Sequence, residues 1–123
     1  MFTYAFSGGE MVKKDTIDET VMILKLLGDK TRVTMLKLLQ LKDCCVCEFV
    51  EIFDMSQPAI SQHVRRLKDA NLVNERRSGQ WIIYSLNQEN EYYTLLCDVL
   101  DHVPSQQDKL DWLEQQGLTI ICE

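Results

Sequence analysis

Two residues, Asp54 and Met55, are all that separate a pair of amphipathic helical patterns in the middle of this chain. Upstream, Val46, Phe49, Val50 and Phe53 recur at the i, i+3, i+4, i+7 spacing of one helix face. Downstream, Ser56 offers an N-cap and Pro58 falls in the first turn, where a missing N–H costs little. Ile60, Val64 and Leu67 then form a second buried stripe, and Asn71 suits the left-handed residue that ends it. Two helices joined by so short a turn read as a helix-turn-helix. Leu72–Arg76, the turn Arg77-Ser78-Gly79 and Gln80–Leu86 follow as a β-hairpin with a basic tip.

The flanks fit around this centre. Thr16 with Glu19 reads as a capping box for a helix carrying Ile17, Val21, Leu24 and Leu27, with Gly28 at its end. Asp29 caps a second helix with Val33, Leu36 and Leu39, and Asp43 caps the third. After the hairpin, a helix over about 88–102 carries Tyr92, Leu96, Val99 and Val103, a stripe suited to a partner. Pro104 breaks it, and a last helix is capped by Ser105 and ended by Gly117. The expected class is mainly α with a β-hairpin wing: a winged helix-turn-helix ordered α-α-α-α-β-β-α-α. Residues 1–15 read as a weakly ordered lead, 16–117 as one DNA-binding and dimerisation domain, and 118–123 as a tail.

Nothing in the sequence approaches the ~20 apolar residues of a membrane span, and the N-terminus does not read as a signal peptide. A cytoplasmic protein is expected, with its five cysteines reduced. Enzyme chemistry has no support: there is no phosphate loop and no nucleophile–base constellation.

The net charge of −6 argues against a polyanionic partner, but its distribution argues for one. Residues 56–86 are locally +3, while 87–123 are locally −7. Local field, not the total, sets where nucleic acid docks. Opposite the buried stripe of the second helix lie Gln57, Ser61, Gln62, Arg65 and Lys68, short polar groups first and long cations after, with His63 on the flank. Glutamine suits adenine and arginine suits guanine in the major groove. The hairpin adds Arg76, Arg77 and Gln80, placed for the phosphate backbone or minor groove.

The stretches LLGDKTRVTMLKLL (26–39), SQPAISQHVRRLKDANLV (56–73) and RRSGQWIIYSL (76–86) together resemble the ArsR/SmtB family of metal-responsive repressors, most closely its arsenite-responsive members. The resemblance covers about residues 17–103. It implies a winged-helix homodimer, paired through its first and fifth helices, that binds a palindromic double-stranded operator and releases it on loading with metal. It also implies that Ser56, Gln57, Ser61, Gln62 and His63 make recognition-helix contacts.

Cys44-Cys45-Val46-Cys47 resembles the family's Cys-Val-Cys metal box, and the match puts the ligands on Cys45 and Cys47. Cys44 is an extra thiol and a candidate third ligand; Cys122, in the tail, is the alternative third. Thiolates select soft, thiophilic ions, and a helix N-terminus favours the thiolate. As(III) or Sb(III), needing only two or three sulfurs, is the expected inducer. The family's cadmium and lead sensors add N-terminal cysteines that this chain lacks, and Asp98, Asp101 and His102 do not complete its zinc-type site. On a regular helix starting at Cys44, Cys45 and Cys47 point about 200° apart, so their joint use predicts a distorted first turn. Cys97 reads as packing. Three other readings stand beside this one: a thiol redox regulator using the same cysteines, a cadmium or lead sensor, and a winged-helix protein–protein module.

Overall fold

The computed structural model describes residues 3–7, 10–14 and 16–120. In chain order the elements are β1 (Thr3–Ser7), β2 (Glu10–Lys14), α1 (Thr16–Leu27), α2 (Lys30–Leu39), β3 (Cys44–Cys45), α3 (Val46–Phe53), α4 (Gln57–Asp69), β4 (Val73–Ser78), β5 (Trp81–Leu86), α5 (Tyr93–Leu100) and α6 (Gln107–Gln115). β1 and β2 pair antiparallel, Thr3 opposite Lys14, within the stretch expected as a lead. A separate three-stranded sheet is ordered β3-β5-β4. Helix-turn-helix followed by a sheet-backed hairpin is a winged helix. No helix of the described residues is long and apolar enough to cross a membrane.

The central signals act where the sequence puts them. The Asp29 carboxylate accepts from Arg32 N–H at 3.0 Å, and that bond holds its pKa below the ordinary value. Ser56 Oγ accepts from Ala59 N–H at 3.3 Å and caps α4. Asn71, at φ 61°, ends the α4 turn in the left-handed region. Asp54, at φ 51°, does the same for α3, which is how the chain reverses within two residues. Phe49, Ile60, Leu67, Leu72 and Leu96 are buried in one core that packs α3 and α4 against the base of the wing.

Four expectations change. α1 turns Ile23 and Leu27 to the core, while Ile17, Val21 and Leu24 are exposed, so its apolar residues cover two faces. Of that helix's expected cap, the Thr16 side chain lies outside the described residues; Glu19 is buried and accepts from Tyr92 Oη at 3.1 Å. α5 begins only at Tyr93, because the Asn90 side chain accepts from Tyr92 N–H and donates to Asn71 O at 2.8 Å. Such side-chain bonds compete with helix formation. Leu96 is fully buried, while Tyr92, Val99 and Val103 pack on the same core and remain half-buried, so the expected partner stripe is shared with the domain's own interior. α6 starts after Gln106; the Ser105 hydroxyl accepts from Gln107 N–H at 3.3 Å, within the turn ahead of it. The fourth change, at the start of α3, shapes the cysteine site.

Candidate DNA interface and cysteine site

α3 begins at Val46, not at Cys44. The two residues before it are held extended by β5, with Cys44 opposite Tyr84 and Cys45 opposite Ile83. Asp43, the expected cap, instead accepts from Arg76 of β4 at 3.2 Å. Cys45 takes the N-cap place at φ −96°, ψ 166°, and Glu48 Oε1 accepts its N–H at 3.0 Å. An N-cap side chain folds back over the first turn, where Cys47 is the second helical residue. The Cα atoms of Cys45 and Cys47 are 5.4 Å apart, and the two sulfurs form a disulfide, contrary to the expectation that all five cysteines are reduced. The pair therefore comes together without unwinding the helix, contrary to the expected distortion.

Cys44 is not brought to this pair. Successive strand residues face opposite sides, and Cys44 lies in the hydrophobic core with its Sγ 3.5 Å from Lys42 O. Cys97 is half-buried on α5. Cys122 lies outside the described residues. Among the described residues no three His, Cys, Asp or Glu side chains group so as to hold a metal ion.

Glu48 is the site residue that periodicity misses. Its side chain is fully buried. Besides the Cys45 N–H it accepts from Lys42 Nζ and from Ile120 N–H at 3.0 Å, so it ties the helix start to the tail. The signal was present: Cys45-Val46-Cys47-Glu48 has capping-box spacing with a cysteine in the cap position.

On the DNA side, Gln57, Ser61, Gln62 and Arg65 all lie exposed on α4, with the capping residue Ser56 at its start. His63 does not join them. It is half-buried, and its Nδ1 accepts from Arg32, 3.3 Å away. Arg32, itself buried, also donates to Leu26 O at 2.9 Å and so ties α4 to the α1–α2 corner. In the wing, Gly79 at φ 62° makes the tip, with Arg77 and Gln80 exposed beside it. Arg76 is engaged by Asp43, and Lys68 by Glu75 at 2.6 Å, which raises the lysine's pKa.

These two sets of residues share a groove of about 490 Å³. Cys45, just before α3, and Cys47, Val50 and Glu51 of α3 line it. Gln57 and Ser61 of α4 and Gln80, Trp81, Ile82 and Tyr84 of the wing complete its lining. Burial pushes the Tyr84 phenol above its ordinary pKa, so it is neutral at physiological pH.

Residues 29–75 match the model of the bacterial regulatory protein arsR family. The chain is 38% identical over 90 residues to the arsenic resistance transcriptional regulator ArsR1 of Pseudomonas putida, covering 72% of this chain and 68% of that protein. It is 41% identical over 71 residues to the arsenical resistance operon repressor of Staphylococcus xylosus, covering 58% and 68%. In structure it is similar to the homodimeric winged helix-turn-helix DNA-binding domain of Mb0332 from Mycobacterium bovis, at TM-score 0.58 and 25% identity over 72% of this chain and 84% of that one.

Proposed function

This chain belongs to the arsR family of bacterial regulatory proteins, and on that premise we propose that it is a dimeric transcriptional repressor that leaves a palindromic operator when Cys45 and Cys47 bind arsenite or antimonite. The observation carrying this reading is the position of the thiol pair. Cys45 is paired into the wing sheet and buried, Cys47 sits half-buried on the first helix of the helix-turn-helix, and both border the groove lined by Gln57 and Ser61. The reduced pair suits a thiophilic ion, and a third sulfur, if one is used, falls to Cys122 rather than to the core-facing Cys44. Gln57, Ser61, Gln62 and Arg65 read bases, and Arg77 and Gln80 hold the backbone. Holding an ion changes the spacing between α3, α4 and the wing, and so the fit of two recognition helices to two half-sites. Moving the DNA-competent form from dominant to rare takes about 5.5 kcal/mol of differential affinity.

The test is operator release. Cys45→Ser and Cys47→Ser each keep operator binding and lose release by arsenite, whereas Cys97→Ser changes neither. A double variant that still releases DNA at wild-type arsenite concentrations overturns the site.

The disulfide between Cys45 and Cys47 favours a second reading, a thiol switch in which a peroxide accepts the two electrons released on closing the bond. Release of operator by peroxide but not by arsenite, under otherwise identical reducing conditions, selects it.

A further inference from the structure

The guanidinium of Arg32 joins three helices. Its side chain is only 10% exposed, and each of its three nitrogens has a partner. Nε donates to Leu26 O at 2.9 Å and Nη2 to Lys25 O at 3.4 Å, both in the last turn of α1. Nη1 lies 3.3 Å from Nδ1 of His63, midway along α4, and 3.9 Å from the carboxylate of Asp29 at the start of α2. Arginine only donates, so Nδ1 accepts, and in the neutral ring the proton sits on Nε2. The last carbonyls of a helix lack partners within it and carry partial negative charge, which accounts for two of the three nitrogens. The third bond crosses to α4 and serves no helix end. Because the fork is planar and its N–H directions are fixed, the three bonds together tie the end of α1 to α4 in one relative placement.

The outer faces of the two helices make that tie matter. α1 exposes Ile17, Val21 and Leu24, which its own core does not use. α4 exposes Gln57, Ser61, Gln62 and Arg65. In a dimer whose copies meet at α1, the angle between α1 and α4 sets the distance between the two recognition helices. We propose that Arg32 is a positioning residue for operator recognition: through His63 it fixes α4 on α1 and so sets the half-site spacing that the dimer accepts. The proposal rests on the repressor reading above and adds a residue to it that touches no DNA.

The experiment uses the reduced full chain and a palindromic duplex that the wild-type chain selects from random sequence. Binding is followed by fluorescence anisotropy on that duplex, on versions with one base pair added or removed between the half-sites, and on random duplex. One base pair moves a half-site by about 3.4 Å and turns it by about 35°. All readings are taken where thermal melts show each variant folded and light scattering shows a dimer. Arg32→Lys keeps the charge at the end of α1 but loses the fork, and His63→Ala leaves the α1 bonds in place. Each is expected to lose on the order of tenfold in affinity at the native spacing, to discriminate less between spacings, and to bind random duplex as before. The double variant is expected to lose no more than either single one, because both remove the same link. His63→Asn, whose Oδ1 stands near the place of Nδ1, is expected to recover affinity and spacing discrimination, and His63→Gln, whose polar end stands nearer Nε2, to behave like His63→Ala. Wild-type spacing discrimination in Arg32→Lys and His63→Ala overturns the proposal, as do additive losses in the double variant. Recovery by Gln and not by Asn also overturns it, and returns His63 to direct contact with DNA through Nε2. A wild-type chain that prefers no palindrome over random duplex is a different failure, that of the repressor reading itself, and takes the proposal with it.

Discussion

Glu48 shows how one buried carboxylate can organise a site made mostly of backbone. It accepts the N–H of Cys45 and of Ile120 and pairs with Lys42, whose side chain is still 26% exposed. Replacing it by alanine leaves two N–H donors without an acceptor, each worth about 1–3 kcal/mol if water cannot reach it. Glu48→Ala should therefore lower unfolding free energy by about 2–6 kcal/mol in a urea titration. Glu48→Gln, which keeps a carbonyl acceptor, should cost less. His63 poses a different question at the same scale. The family resemblance makes it a DNA contact, yet its Nδ1 faces Arg32. We expect His63→Ala to cost about 1 kcal/mol of stability and to leave base preference unchanged when operator variants are compared. A shifted preference at one base position would restore it to the reading face.

At the scale of elements, what could be read from the sequence was decided by whether local signals compete with tertiary ones. α2 and α4 begin at their expected caps, since among the described residues none distant in sequence takes the Ser56 hydroxyl and the ion pair Asp29 makes is with Arg32, inside the helix it caps. Asp43 was an equally good cap by type, but a long-range ion pair with Arg76 takes its carboxylate and pairing with β5 takes the next two residues. A two-residue strand leaves no periodic trace, so the resemblance could single out Cys45 and Cys47 while the helical spacing misplaced their geometry. The same ion pair separates two arginines that look alike in the sequence. Among the described residues Arg77 donates only to Gly79 O at 3.4 Å and pairs with no carboxylate, so it can meet a phosphate, and Arg77→Ala should reduce the salt slope of operator binding by about 1. Arg76→Ala should change it less. Arg65→Ala should instead cost about 1–3 kcal/mol and relax preference at one position per half-site. Equal effects of Arg65→Ala and Arg77→Ala on operator and random DNA would contradict this division.

For the whole molecule, the open matter is what covers α1. Ile17 is 70% exposed, Leu24 47% and Val21 40%, and they sit at i, i+4 and i+7 on one face of a helix whose other face is already in the core. A row of large apolar side chains in water is a contact surface waiting for a second copy, and a two-fold pair is what gives two recognition helices a palindrome to read. α5 contributes less to this than its stripe suggests, because Leu96 and its neighbours pack inward. The dimer should therefore depend on α1. Ile17→Glu with Leu24→Glu adds charge at positions the monomer core does not use, so far-ultraviolet dichroism should keep its helical signal. Light scattering at micromolar concentration should move from dimer to monomer mass. Operator affinity should fall on the order of a thousandfold or more, to the level of non-specific DNA. Leu41→Glu is the control, since Leu41 is equally apolar and 44% exposed but lies after α2, away from the row. It should remain dimeric and bind normally. A double variant that keeps the dimer mass and the operator affinity would mean that the two copies meet through another face.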